Sequence, residues 1–201
     1  MKTSAARLLI ATLLTFASAS AAEITVELNP AGTHVLWTLG DVLHTVHGTF
    51  KLTRGTIRFD PATGVASGEI IVDATSGESG SGARDGRMHK NVLESSKYPT
   101  IAFRPDRIEG PVNLSGDSQV QIHGIFSIHG GDHELTVPAK IHIANSEVTG
   151  TIGFQVPFVK WGMKDPSTLF LKVKDSVEIE VRAAGTESQQ LDKTASRPDS
   201  Q

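Results

Sequence analysis

The amino-acid sequence predicts an all-β protein: an antiparallel β-barrel of about eight strands with one helix inserted mid-chain. Three observations predict it. Apolar and polar residues alternate through most of the chain, most regularly from Val120 to Ile143. Turn residues break that alternation at short intervals, as at Asn29-Pro30 and Asp60-Pro61-Ala62-Thr63-Gly64. Only Arg84 to Tyr98 departs from it, with Met88, Val92 and Leu93 at helical spacing. A period of two with one apolar face marks a strand with one side buried. Antiparallel strands this regular tend to close into a barrel, which removes their exposed edges.

The stretch from Val120 to Ile143 carries the clearest pattern. Val120, Ile122, Gly124, Phe126 and Ile128 share one parity, and Leu135, Val137, Ala139, Ile141 and Ile143 share one after the turn. Gly130-Gly131 fits a two-residue turn, whose central residues need positive φ. That turn pairs Phe126 with Leu135, Gly124 with Val137, Ile122 with Ala139 and Val120 with Ile141, so each apolar residue meets another on the same face.

The remaining elements follow in order. Residues 1–22 read as a secretory signal peptide: Lys2 and Arg7, a short apolar run from Leu8 to Phe16, then small residues to Ala22. The run is too short to span a bilayer comfortably, which takes about 20 residues. Strands are expected at Ile24–Leu28, Thr33–Leu39, Val42–Thr53, Thr56–Phe59 and Val65–Val72, and residues 74–83, rich in Ser and Gly, as a loop. Asp85 suits the start of the helix and Tyr98-Pro99 its end. Its apolar face either packs on the core or meets a ligand. Strands follow at Thr100–Phe103, Glu147–Val156, Leu169–Val173 and Ser176–Val181, with an apolar loop from Phe158 to Pro166. Residues 23–183 form one domain, and the polar 184–201 reads as a disordered tail.

Composition narrows the function. The chain has 19 Lys and Arg against 22 Asp and Glu; removing Lys2 and Arg7 with the signal leaves 17 against 22, a net charge of −5. Mild acidity without a basic patch argues against nucleic acid. There is no cysteine, so an apolar core and not a disulfide must hold an exported fold. Eight histidines raise a metal site. His44 and His47 point to opposite faces, and His129 and His133 lie on opposite parities across the turn, so no tetrahedral set converges and no metal site is assigned. Residues 77–82 do not form a Gly-x-Ser-x-Gly elbow, and no phosphate loop or dinucleotide fingerprint occurs. No catalytic residue and no cofactor are assigned. Arg84, Asp85 and Arg87 either bind an anionic head group or form a solvated face. Phe158, Trp161 and Met163 make the late loop a lid, a partner patch, a bilayer contact or a plug of the barrel end.

Several segments together resemble the YceI-like polyisoprenoid-binding family. They are Val46-His47-Gly48-Thr49-Phe50, Gly55-Thr56-Ile57-Arg58-Phe59-Asp60-Pro61, Arg84-Asp85, Lys97-Tyr98-Pro99-Thr100-Ile101-Ala102-Phe103, Gly124-Ile125-Phe126-Ser127-Ile128-His129-Gly130 before Leu135-Thr136-Val137-Pro138, and Trp161-Gly162-Met163-Lys164-Asp165-Pro166. The resemblance covers about Ile24 to Ala183. It implies a lipocalin-like barrel that binds a long isoprenoid, a quinone-type or another amphipathic lipid in an apolar pore, without catalysis. By parity and size the candidate contacts are Trp37, Leu39, Phe50, Phe103, Phe126, Phe154 and Trp161; Met88, Val92 and Phe158 join them, and Gly124 as room in the wall. A bulky residue at Gly124 is then expected to fill the pore and leave the barrel folded. The expected partner is a hydrophobic small-molecule lipid, with a homodimer left open, and the expected location is periplasmic or secreted. An interaction or stress-response module with a filled barrel, and a lipid-modifying enzyme, stand as alternatives.

Overall fold

A computed structural model describes residues 23–40, 44–167 and 172–190. The alternating segments form nine strands: β1 (Glu23–Leu28), β2 (His34–Gly40), β3 (Thr45–Phe59), β4 (Ala66–Glu78), β5 (Thr100–Glu109), β6 (Gly116–Ile128), β7 (Gly131–Ala144), β8 (Glu147–Val156) and β9 (Val177–Gln190). All pair antiparallel. The order β3-β2-β9-β8-β7-β6-β5-β4 closes on itself because β3 also pairs with β4. β1 and β2 both pair with β3 and β9, β1 against Thr56–Phe59 and Gly185–Gln190, β2 against Thr45–Phe50 and Glu178–Arg182. They lie end to end as two halves of one stave, so nine strands build an eight-staved barrel. The expected lipocalin-like all-β fold with one mid-chain helical insertion is the fold observed.

The alternation sorts the two faces. On β6, Val120, Ile122, Phe126 and Ile128 are buried, and Gln119 and Gln121 on either side of Val120 are exposed. The outer wall carries a cross-strand polar ladder: Arg54 donates to Glu69 at 2.6 Å, Arg104 to Glu69 at 3.0 Å and to Ser127 at 3.1 Å. Exposed pairs of this kind contribute only about 0.2–1 kcal/mol each, but they keep the outer face wet. The buried apolar residues fall into two clusters. One, with Ile24, Phe59, Ile122 and Ile143, fills the end near the β5–β6 and β7–β8 connections. The other, with Ile101, Phe126, Val156, Phe158 and Met163, fills the helix end.

Four expectations need correction. The β6–β7 turn is His129-Gly130, with φ of 52° and 77°, and not Gly130-Gly131. Phe126 therefore pairs with His133 and Gly124 with Leu135. Moving the turn by one residue shifts every partner by two, so both apolar faces survive. Residues 74–78 continue β4, because Ser76 Oγ accepts from the Lys51 backbone N–H at 2.8 Å and Thr49 pairs with Glu78; backbone pairing decides there, not composition. The helix is shorter than Arg84–Tyr98. It comprises α1 (Gly82–Arg87) and a π-helical turn (Met88–Val92), and stops where Glu94 takes φ of 45° and the chain turns back toward β5. β9 runs to Gln190, through part of the expected tail, because β1 offers it backbone partners from Leu28 to Glu23. The expected signal peptide, the remainder of the tail, and most of the strand expected at Leu169–Val173 lie outside the described residues.

Candidate functional site

The inward parity of eight staves encloses a cavity of about 460 Å³. β8 alone has 10 residues, which at ~3.3 Å per residue and the usual barrel tilt gives a channel wall of roughly 25 Å. Phe50, Leu39, Met88 and Val92 line the cavity at the helix end, and Val26, Phe59, Ile143 and Val148 at the other. Its wall is apolar apart from Thr33, Arg84 and Arg87. The Thr33 hydroxyl is occupied by both backbone groups of Ala184, at 3.2 Å each. The indole N–H of Trp37 has no partner among the described residues, although Trp37 is only 5 % exposed. Leaving a buried donor unpaired costs about 1–3 kcal/mol. An apolar cavity of this kind offers water few partners and leaves its lining short of van der Waals contacts. An apolar occupant restores the missing contacts of the lining.

The sequence matches the family described as the YceI-like domain over residues 26–184. This chain belongs to the YceI-like family. Solved structures share the fold. BcnA of Burkholderia cenocepacia is 20 % identical, with a TM-score of 0.68 over 79 % of this chain and 99 % of that one. A polyisoprenoid binding domain from Saccharophagus degradans, implicated in plant cell wall breakdown, is 12 % identical, with a TM-score of 0.64 over 81 % and 98 %. The YCEI protein of Campylobacter jejuni is 16 % identical, with a TM-score of 0.57 over 75 % and 88 %. No curated protein sequence matches.

The YceI-like barrel of this chain brings most of the predicted contacts together. Trp37, Leu39, Phe50, Met88, Val92, Phe103, Phe126, Phe154 and Phe158 all line the cavity. Trp161 does not. Its ring stacks on His133 at 3.9 Å and 7° and lies 5.9 Å from Phe126, so it backs the wall at the helix end, as a plug would. Gly124 does not line the cavity either. A Cβ there would sit 2.3 Å from Arg104 O and 2.8 Å from Pro105 Cα. The register shift between Pro105 and Arg107 brings the β5 backbone against it, so this glycine marks a close approach of two strands and offers no room. The glycine with room is Gly150, on the cavity wall, where a Cβ meets nothing closer than 3.6 Å. Ranking by size also passed over wall residues of modest bulk, among them Val177, Ile179 and Val181 on β9. Their alternation was readable in the sequence.

The helical insertion covers one end of this YceI-like barrel. Met88, Val92 and Leu93 face the cavity, and Gly77 on β4 lets Phe50 and Met88 approach, since a Cβ there would lie 2.4 Å from Phe50 Cε1. His89 ties the π turn down: its ring nitrogens lie 2.9 Å from Ser95 Oγ and 2.8 Å from Gly77 O. Beyond the turn, Glu94 meets His129 at 2.7 Å, and His129 packs on Tyr98. Arg84 donates to Ser79 Oγ at 2.7 Å, and the Ser79 hydroxyl donating to Asp85 holds that carboxyl below the usual carboxylate range. Arg87 lines the cavity and carries no hydrogen bond or ion pair to the described residues.

The histidine with the clearest electrostatic setting lies on the outer wall. His123 sits between Asp106 and Glu134, the latter at 2.9 Å, and its side chain is 13 % exposed. The bonds to Asp106 and then Glu134 raise its pKa above the ordinary 6.5. A raised folded value means that this pairing stabilises fully below about 6.5 and is lost as pH rises through the folded value. Thermal melts from pH 6 to 9 are expected to show wild-type stability falling with pH by more than that of His123→Gln. Parallel pH profiles for the two proteins would remove His123 as a contributor.

Proposed function

We propose that this protein is a binding protein that holds a long isoprenoid, or a comparable amphipathic or quinone-type lipid, non-covalently in its barrel. The observation that carries this is the continuous apolar cavity, which spans both ends of the barrel and meets cationic side chains only at the helix end. Each CH₂-sized group transferred into such a wall stabilises the complex by about 0.8 kcal/mol, so affinity grows with chain length and needs no reacting side chain. The polyisoprenoid binding domain among the solved neighbours supports the same ligand class. The lipid tail runs down the pore, and the polar head lies beneath the helix near Arg84 and Arg87. Residues 1–22 act as an export signal, and the domain that starts at about residue 23 works in the periplasm or outside the cell; the basic, apolar, small-residue order of the N-terminus supports this. No helix among the described residues is long and apolar enough to cross a membrane. A filled-barrel interaction module is the weaker alternative, because the interior retains space.

Native mass spectrometry of the protein purified from its own envelope fraction tests the proposal. The expected result is a discrete adduct that organic extraction releases as an isoprenoid or related lipid. An adduct-free, well-folded protein that also refuses added polyprenyl lipids would overturn it.

A further inference from the structure

The helical insertion and the late loop lie far apart in sequence, and the barrel brings them to one end. Residues 79–99 connect β4 to β5, and residues 157–176 connect β8 to β9. The first connection carries Arg84, Arg87, Lys90 and Lys97 against Asp85 and Glu94. The second carries Lys160, Lys164, Lys172 and Lys174 against Asp165 and Asp175. All of these cations are exposed. Eight cations against four carboxylates give the two connections a net charge of +4, in a mature chain of −5. Glu78 and Asp132 at the adjoining strand ends leave the sign unchanged. Glu94 is already bonded to His129 and Asp85 to Ser79, so neither is spent on a lysine. The connections of the opposite end, residues 60–65, 110–115 and 145–146, hold no cation and one carboxylate, Asp60. No basic run in the sequence announces this surface, because its cations are scattered singly over two distant segments.

Arg84 and Arg87 are exposed and also line the cavity, so the cavity meets solvent at this end. Beside them the late loop sets Val159 and Trp161, both half-buried, among Lys160 and Lys164. Apolar and aromatic side chains interleaved with lysines suit the boundary between anionic head groups and acyl chains. We propose that this end of the barrel docks on an anionic lipid surface, with the cations of the two connections as the contact. A basic end on an acidic body also orients the approach. The surface attracts one end and repels the rest, so the cavity mouth arrives first. The docking face goes beyond the carrier reading and depends on no ligand in the cavity.

Co-sedimentation of the mature protein with lipid vesicles at low salt tests the proposal. The protein is expected to pellet with equimolar phosphatidylglycerol and phosphatidylcholine but not with phosphatidylcholine alone. Salt at about 0.5 M, which screens charges beyond a few ångströms, is expected to release it. Each lysine at such a surface contributes about fivefold in affinity. Lys160→Gln combined with Lys164→Gln is therefore expected to bind about thirtyfold more weakly. The same loss of charge on the barrel wall, Lys51→Gln combined with Lys140→Gln, is expected to change binding by less than about threefold. All four lysines are exposed, so both double variants keep the fold. Equal binding to neutral and anionic vesicles, binding to neither, or equal losses in the two double variants overturns the inference. Each of those outcomes leaves the carrier reading standing, because cargo is read separately by native mass spectrometry.

Discussion

Gly150→Trp is expected to give a folded barrel that no longer loads a long lipid. Gly150 lies on the cavity wall between Ile141 on β7 and Ala183 on β9. A Cβ at this position meets Lys140 O at 3.6 Å, Ile152 Cδ1 at 3.8 Å and Ala183 Cβ at 3.9 Å, all ordinary contacts. Replacing a mid-strand glycine also removes its excess unfolded-state entropy, worth about 0.5–1 kcal/mol. The indole then occupies the far half of the channel. If it displaces about five CH₂-sized groups of ligand, the loss is roughly 4 kcal/mol, or about a thousandfold in Kd. Native mass spectrometry and probe displacement read this directly: long adducts vanish and short ones persist. A variant that loads the wild-type lipid at wild-type affinity would place the ligand elsewhere.

Gly124 is expected to behave in the opposite way. Gly124→Phe should not fold, and even Gly124→Ala should be strongly destabilised. The added carbon would lie inside the van der Waals surface of Arg104 O and Pro105 Cα, both backbone atoms of the neighbouring strand. Relief requires β5 to part from β6, which breaks the pairing from Ala102 to Glu109. The Ala variant is expected to lose about 3 kcal/mol, a large share of the ~5–15 kcal/mol of a typical domain. Urea denaturation with an unchanged midpoint would show that the strands yield there at no cost.

These two glycines show where sequence reasoning reached and where it stopped. Parity placed Gly124 on the inner face, as the strand alternation from Val148 to Val156 does Gly150, and parity was right about most of the wall: Trp37, Phe50, Phe103, Phe126 and Phe154 all line the cavity. It could not tell a glycine that leaves room from one that admits a neighbouring backbone, because the difference comes from a bulge at Pro105 on another strand. The β6–β7 turn failed in a similar way. Gly-Gly is the stronger local turn signal, yet His129 takes positive φ while held by Glu94 and Tyr98 from the helical insertion, contacts that no local pattern reveals. The helix was legible in its apolar spacing but not in its length, since Glu94 and the buried Ser95, bonded to His89, end it through tertiary contacts. The unpartnered N–H of Trp37 has no signature in sequence at all; it exists only once the barrel closes around it.

The divided stave has a consequence for how the chain assembles. β1 and β2 find β3 nearby in sequence, but the other edge of each must wait for β9. A chain emerging from its N-terminus therefore carries two half-staves with one open edge each through the making of every later hairpin. Ile24 meets Gln189 and Val35 meets Val181 only at the end. Contacts this distant make closure slow, and the unpaired edges are templates for association while it is pending. Closure also comes after the β6–β7 and β7–β8 hairpins, which can form from local sequence alone. The seam beside β9 is thus the youngest part of the folded protein, and a chain cut before residue 177 retains most of its hairpins and none of its enclosure.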